Sequence, residues 1–397
     1  MRVAVILAGA AVAIGTAAPA PVRAQAFAPI EDRDFGLDLY AGAALGSVRI
    51  VGMGGAAIGT AVGSAGTLVN PAAATVRRTT SKGSWDWDFH VDALTAVAAS
   101  DFDNNGVTAS DEYGTRIETF GLAGMLGGWG AAATVTAAGT AIDGDAGDHL
   151  EARAISGKLA FARQSDDRQW TIGVAARIGE FEMSRLVGGG RIALFTLSGG
   201  GLEAGGLWRQ PDGDLRVGIT ASLPITGANP AYAGCDPLDC EGYILPDRVE
   251  VPWQLAGGVA WRRAPTRWNQ LQPGDYRDER ALLLAADLVV TGGVRDGYGL
   301  EAFGQQVLQP SGRHPVVSLR AGAEYEWLPG RLRVRGGSYW EPGRFEGVGG
   351  RLHGTVGVEV ALWQFCVWRW TYRVRVSVTG DVAARYGNAG MSVGFWH

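Results

Sequence analysis

The sequence predicts an all-β membrane protein, a single transmembrane antiparallel β-barrel of about 14 strands. Three observations predict this fold. Several segments alternate strictly between apolar or aromatic residues and polar or charged residues. Short turns and long polar loops follow each other in a regular order along the chain. Charged residues make up only 19% of the chain, which holds 61 glycines and 14 tryptophans, and this composition suits tight turns and the aromatic girdles of a membrane barrel.

Residues 1–24 predict a secretory signal peptide. Arg2 precedes an apolar stretch from Val3 to Ala18, and a small-residue site ends at Ala24, where we expect cleavage. The apolar stretch is short for a membrane-spanning helix. We therefore expect the folded protein to begin after it.

A glycine-rich run without charges occupies residues 50–76, and three interpretations compete. A membrane helix needs about 20 mostly apolar residues, but glycines and the Asn70-Pro71 pair would weaken and break it. A phosphate-binding loop is suggested by Gly52-Met53-Gly54, yet the flanking strand, helix and acidic residue that such a loop needs are absent from the sequence. The third interpretation is close-packed backbone that ends in an Asn-Pro turn, with Pro71 starting a short helix.

The third interpretation agrees with a resemblance carried by two motifs. Gly52-Met53-Gly54-Gly55-Ala56 followed by Asn70-Pro71-Ala72 resembles the N-terminal hatch of the FadL/TodX-type outer-membrane transporters, which are channels for long-chain fatty acids and aromatic hydrocarbons. The resemblance implies that residues 25–80 form a hatch inside a barrel made by residues 81–397. The ligand or hatch residues that it implies are Met53, Gly54, Gly55, Ala56, Asn70, Pro71 and Ala72. The family usually has acidic residues and an aromatic residue before the second motif, and this chain has neither there.

Alternation with a period of two is clearest at the start of the predicted barrel. Trp85, Trp87, Phe89 and Val91 alternate with Asp86, Asp88, His90 and Asp92. Similar alternation recurs at 317–327, 331–335 and 368–378. A face of carboxylates does not suit a packed protein core, whereas a barrel wall that is apolar outside and polar inside explains it.

The other strands are predicted from weaker patterns, at 115–127, 129–141, 151–164, 169–182, 192–209, 214–224, 250–263, 281–292, 351–362 and 385–396. Short turns near 166–168, 211–214 and 328–330 then fall at every second junction, where we expect the periplasmic side. Long loops at 101–114, 225–248 and 293–313 are expected to face outside. The last strand ends near an aromatic residue, which resembles the signal read by the bacterial barrel-assembly machinery.

Three groups of polar residues are candidate sites. The predicted polar lumen holds Asp86, Asp88, His90, Asp92, Arg369, Arg373 and Arg375, either as salt bridges that fill the lumen or as a cation site. The spacing of Asp101, Asp103, Asn105 and Glu112 matches a calcium loop, and an ordinary Asx-rich hairpin loop is the alternative. Cys235 and Cys240 bracket Asp-Pro-Leu-Asp, a spacing that a disulfide can close in an oxidising compartment.

The predicted function rests on the resemblance. It implies a bacterial outer-membrane barrel for passive uptake of hydrophobic, fatty acid-like small molecules, which would leave where the glycine-interrupted stretch from Phe120 to Ala138 fails to pair. The alternative is a partner or scaffold in a surface or secretion complex. We expect no enzyme, no catalytic residues and no cofactor apart from the surface Ca²⁺ considered above. The expected partners are outer-membrane lipid, the hydrophobic molecule and the barrel-assembly machinery, and the net charge of −5 gives no support to nucleic acid.

Overall fold

The computed structural model describes residues 27–40, 42, 46–76, 84–96, 100–106, 115–144, 149–187, 190–228, 231–232, 234–270, 276–367 and 370–397. The predicted signal peptide lies outside these residues. Among them, no helix is long and apolar enough to cross a membrane.

Fourteen antiparallel strands form a closed barrel. In chain order they are β1 Trp85–Ala96, β2 Arg116–Leu126, β3 Trp129–Asp143, β4 His149–Gln164, β5 Trp170–Val187, β6 Gly190–Arg209, β7 Leu215–Ser222, β8 Gln254–Arg263, β9 Leu282–Thr291, β10 Val316–Leu328, β11 Leu332–Glu341, β12 Arg351–Val367, β13 Trp370–Ala383 and β14 Tyr386–Phe395. The last strand pairs with the first from Asn388 opposite Ala96 to Gly394 opposite His90. The predicted barrel is confirmed, and every predicted strand overlaps one of these fourteen.

Outward-facing side chains of the strands are apolar and exposed. Phe120 is 50% exposed, Ile172 65%, Leu202 60%, Val356 67% and Met391 56%. The inward neighbours of these residues in the strands are mostly buried. A continuous apolar belt of this kind exceeds what a soluble protein surface carries and is suited to lipid.

The two ends of the barrel differ. At the turn end, strands are joined by short connections such as residues 127–128 and 210–214, whereas the loop end carries connections such as 223–253 and 292–315. β1 starts and β14 ends at the turn end. The turn end is thus the end at residues 127–128 and 210–214, and the loop end is the opposite one.

The prediction that the stretch from Phe120 to Ala138 fails to pair is wrong for strands β2 and β3. β2 pairs without interruption with β1, from Arg116 to Leu126, and equally with β3. Glycine removes a side chain but keeps the backbone N–H and C=O groups that form the ladder. The glycines there serve close approach instead, because a Cβ on Gly121 would overlap the His90 ring and one on Gly130 would overlap the Ala74 carbonyl.

The glycine-rich run folds as three short helical segments, so the membrane-helix interpretation is wrong. They are α1 Val48–Gly52, α2 Gly63–Gly66 and the 3-10 helix Pro71–Thr75. All three make contacts with barrel strands. The predicted helix after the Asn-Pro turn corresponds to the third segment.

A cap of short strands covers the loop end. Gly36–Asp38 pairs in parallel with both Arg248–Val251 and Gly297–Tyr298, and Ile225–Ala228 completes this four-stranded sheet. Residues 36–38, within the predicted hatch, therefore lie at the loop end, and the chain then descends through the lumen to β1 at the turn end.

Apolar side chains fix the cap to the upper strands. They include Phe35, Leu37, Phe195, Leu245 and Phe303, which are buried in one cluster. α3, Leu300–Gly304, contributes the last of these. The Cys235–Cys240 disulfide lies in the same cap, and the predicted disulfide is therefore confirmed.

Candidate functional site

The Asn-Pro-Ala motif sits against strands β5 and β6. A Cβ on Gly173 would lie 2.5 Å from the Ala72 nitrogen, and a Cβ on Gly205 would overlap the Asn70 side-chain oxygen. That oxygen accepts a hydrogen bond from Ala72 N at 3.0 Å, while the Asn70 Nδ2 donates to the Gly206 carbonyl at 3.1 Å. One side chain thus caps the short helix and attaches it to the wall.

The first motif sits on the opposite wall. Gly54 and Gly55 have φ of +60° and +73°, a region that favours glycine, and Gly54 N donates to Thr355 Oγ1 at 3.0 Å. A Cβ on Gly322 would overlap the Met53 carbonyl. Both motifs therefore touch wall glycines, and the close approach of two backbones explains why glycine is needed on each side.

Carboxylates of the wall accept hydrogen bonds from hatch backbone that has no partner within its own segment. Asp92 Oδ1 accepts from Val48 N at 2.9 Å, and Asp88 Oδ2 accepts from Ser64 N at 2.7 Å. Asp287 Oδ2 accepts from Ala57 N at 2.7 Å and from Ile58 N at 2.9 Å. These three carboxylates are buried, and charge-assisted bonds of this kind are stronger than neutral ones.

The predicted lumen arginines have other partners. Arg375 lies 3.4 Å from Glu359 Oε2 and Arg373 lies 2.7 Å from Asp278 Oδ1. Arg369 lies outside the described residues. The carboxylates of β1 face the hatch instead; Asp86 Oδ1 accepts from the backbone of Trp87. Salt bridges do fill part of the lumen, as in the pairs of Arg335 with Glu324 and Glu359, at 2.6 and 2.8 Å.

Ser64 and His90 form a nucleophile–base contact that the sequence did not reveal. Ser64 Oγ lies 2.8 Å from His90 Nδ1, and Asp92 Oδ2 lies 3.6 Å from His90 Nε2. However, Ser64 Oγ donates its proton to Asp88 Oδ2 at 2.7 Å, so the imidazole is not its base. All four side chains are at most 2% exposed, and the group joins the hatch to β1.

The predicted calcium loop has the hydrogen bonds of an Asx turn in its described part. Asp101 accepts from the backbone of Asn105 at 2.9 Å and of Gly106 at 3.1 Å, and Arg385 lies 3.5 Å from it. Asp103 Oδ1 accepts from the Asn105 backbone at 3.3 Å, whereas Glu112 lies outside the described residues. Among residues that the structure describes, no three His, Cys, Asp or Glu side chains are grouped to hold a metal ion.

A carboxylate of α3 joins this loop. Asn105 Nδ2 donates to Glu301 Oε2. Burial above all, and the nearby charge of Asp101, raise the pKa of Glu301 to about 7, although the Asn105 hydrogen bond lowers it. Burial and the charge of Glu301 raise the pKa of Asp103 well above its usual value. The cap therefore holds proton-binding carboxylates close together.

A cavity of about 440 Å³ occupies the part of the lumen towards the loop end. The hatch residues Ile58, Leu68 and Val69 line it, together with Phe181 of the wall and Ile225 of the cap. Its size lies within the usual range of small-molecule pockets, and such pockets combine an apolar lining with a few polar groups.

One ion cluster supplies the strongest polar groups of this cavity. Lys158 Nζ lies 2.7 Å from Glu203 Oε2 and donates to the carbonyls of Thr67 and Leu68 at 3.0 and 2.9 Å. Arg177 Nε lies 3.7 Å from the same carboxylate. Lys158 thus binds both the wall and the hatch backbone beside the cavity.

A second cavity, of about 110 Å³, lies at the turn end. The hatch residues Thr60 and Val62 line it, together with wall residues and the C-terminal Trp396 and His397. Residues 58–69 of the hatch therefore separate the two cavities. None of the seven residues predicted as ligand or hatch residues lines either of these two cavities. Met53 and Ala56, for example, pack in the core between hatch and wall.

Solved structures of membrane channels share this fold. A Pseudomonas aeruginosa FadL homologue has 12% identity and a TM-score of 0.57, with 89% of this chain and 99% of that chain covered. The Pseudomonas putida toluene transporter TodX has 13% identity, a TM-score of 0.53 and coverage of 91% and 99%. The Ralstonia pickettii toluene transporter TbuX has 14% identity, a TM-score of 0.50 and coverage of 89% and 98%.

No family model and no curated protein matches the chain. At such low identities the likeness establishes the fold. The FadL-type barrel that the two motifs implied is therefore confirmed as the fold of this chain.

Proposed function

We propose that this chain, which has the FadL-type fold, is an outer-membrane channel for passive uptake of hydrophobic small molecules. The single observation that carries the proposal is the apolar cavity of about 440 Å³ inside a barrel whose outer face is a continuous apolar belt. In this proposal the loop end faces outside and the turn end faces the periplasm. The matching structures include transporters that are named for toluene.

The hatch controls passage in this proposal. Residues 58–69 form the floor of the larger cavity. Buried carboxylates of the wall and Lys158 bind the backbone of this segment and attach it to the wall. A molecule that enters from the loop end reaches the smaller cavity only if this segment moves. The sequence and fold imply no energy source, so uptake follows the concentration gradient.

A scaffold in a surface complex is the alternative function, and it predicts that loop 225–248 makes the contacts. In this fold, Tyr243 and Leu245 of that loop are buried in the cap. These two side chains therefore pack inside the cap and are not available for contact with a partner. We also propose that the chain is not an enzyme, because the Ser64 hydroxyl donates to a carboxylate.

The experiment is uptake by bacteria that carry the barrel in a lipopolysaccharide-containing outer membrane, because toluene crosses plain phospholipid bilayers without a protein. Val69→Trp fills the larger cavity, and we expect uptake of toluene and of dodecanoate to fall by about tenfold or more. Val174→Trp is the matched control, because Val174 is 56% exposed on the outer face, and it should leave uptake unchanged. Uptake that is equal in Val69→Trp and in the unmodified barrel would overturn the proposal.

A further inference from the structure

The turn-end cavity has an excess of arginine. Among the described residues, five arginines line this space of about 110 Å³, with only two acidic side chains, those of Glu324 and Glu326, and with the C-terminal His397. The arginines are Arg49, Arg216, Arg262, Arg277 and Arg333. Neither carboxylate is free to neutralise Arg216 or Arg277. Glu324 pairs with Arg335 at 2.6 Å and with Arg49 at 3.6 Å, while Glu326 pairs with Arg333 at 3.0 Å.

Arg216 is the most deeply placed of these arginines. It is 2% exposed, its Nε donates to Asn269 Oδ1 at 2.8 Å, and its guanidinium carbon lies 3.7 Å from the centre of the Trp268 ring. Its Nη1 is buried and has no hydrogen-bond partner among the described residues. A buried donor without a partner costs free energy comparable to a lost hydrogen bond, and it faces a polar cavity here.

Arg277 is the second arginine without a carboxylate partner in the described structure. Its guanidinium donates to the carbonyls of Arg267 and Gln270, and its Nε is buried without a partner. Arg262, beside it, is paired with Glu279 at 2.7 Å. Burial, and then the charge of Arg262, lower the pKa of Arg277, although the charge of Glu279 raises it.

We propose that the turn-end cavity binds one small oxyanion, a carboxylate or phosphate group, between Arg216 and Arg277. Planar guanidinium groups bind such anions through paired hydrogen bonds. The anion supplies the acceptor that Arg216 Nη1 lacks and offsets the repulsion between the arginines. The cavity holds an anionic group but not the body of an apolar acid.

Two sources of this anion are consistent with the cavity. One is the head group of an apolar acid leaving the barrel past Thr60 and Val62, and this role rests on the proposed uptake function. The other is a free anion such as inorganic phosphate, which requires no transport at all. The site itself stands in both cases.

The test is calorimetric titration of the detergent-purified full chain with sodium phosphate and, separately, with octanoate. We expect saturable binding of one phosphate per chain, weakened by about tenfold or more in Arg277→Gln and in Arg216→Gln. Arg331→Gln is the control, because Arg331 is exposed at the same end, and it should bind as the unmodified chain does. Arg277→Gln alters a loop residue, so it remains informative if Arg216→Gln fails to fold.

Octanoate that competes with phosphate identifies the head group of an acid as the source, and octanoate that does not compete identifies a free anion; both results support the site. Absence of saturable phosphate binding, or binding that Arg277→Gln leaves unchanged, overturns it. Failure of uptake is a separate result. A barrel that binds phosphate through these arginines but takes up no toluene would disprove the channel and retain the anion site.

Discussion

Asn70 is the residue on which the attachment of the second hatch motif depends most. It is fully buried, and it uses both its amide oxygen and its amide nitrogen, towards Ala72 and Gly206. Replacement by alanine leaves the buried Ala72 N–H without this partner, at a cost of about 1–3 kcal/mol, and removes the contact with the wall at Gly206, whose residue stays paired in the sheet.

We therefore expect Asn70→Ala to loosen the hatch while the barrel stays folded. Hydrogen exchange should rise in residues 63–76 and stay constant in the paired strands β12 and β13. Arg331→Ala, an exposed turn substitution, is the control. Unchanged exchange in residues 63–76 would show that this side chain does not hold the segment.

Gly205 provides a complementary test at the wall. A Cβ there would overlap the Asn70 side-chain oxygen, whereas Gly124 has no atom within 4 Å of its Cβ position. We expect Gly205→Ala to displace the hatch and raise its susceptibility to protease, while Gly124→Ala has no such effect. Equal cleavage of the two variants would contradict the close-approach explanation of the wall glycines.

At the scale of elements, the sequence was informative about strands and uninformative about contacts. The alternation in β1 and β10 reflects a local period of two, so it can be read from one segment. The contacts between hatch and wall join distant residues, such as Ala57 and Asp287, which are 230 positions apart. The one feature of the sequence that could have indicated such a contact is a single acid in an otherwise apolar strand, as Asp287 is in Leu282–Thr291. Glu203 is likewise the single acid of β6.

The loop that contains Asp101 and the helix α3 should respond together to pH. The pKa of Glu301 is raised from 4.5 to about 7, mainly by burial, so the folded cap binds this proton more tightly than the unfolded chain does. The resulting stabilisation is fully present below about pH 4.5 and is lost as pH rises through about 7.

Hydrogen exchange, corrected for its intrinsic pH dependence, measures this effect. We expect the protection of residues 100–106 and 300–304 to fall between pH 5 and pH 8, and Glu301→Gln to reduce this dependence, with the raised pKa of Asp103 responsible for the remainder. Protection that increases with pH in the unmodified chain would refute the assignment of a raised pKa. Glu346→Gln, a substitution of another loop-end acid that is 49% exposed at its side chain, is the control.

For the whole molecule, the order of predicted turns and loops along the chain indicated the strand number and the two ends of the barrel. The order is not strict, because the turn end has the long connection 264–281 and the loop end has the two-residue connection 384–385. The same features could not reveal the two cavities, since these depend on how far the hatch descends and which of its residues face each side. Ile58 faces the larger cavity, whereas Thr60 faces the smaller one. In the proposed channel, this segment is therefore the barrier to passage.

In the proposed channel, uptake requires movement of the hatch. A reversible disulfide between hatch and wall tests this requirement most directly. Ser64 Oγ and Asp88 Oδ2 lie 2.7 Å apart, so Ser64→Cys with Asp88→Cys offers a disulfide between hatch and wall. We measure toluene uptake by bacteria that carry the barrel in a lipopolysaccharide-containing outer membrane. The double variant, oxidised and reduced, is compared with both single variants and with the unmodified chain, which controls for reduction of Cys235–Cys240. We expect uptake to stop in the oxidised double variant and to return on reduction. Uptake that continues at the unmodified rate through the locked barrel would contradict the account.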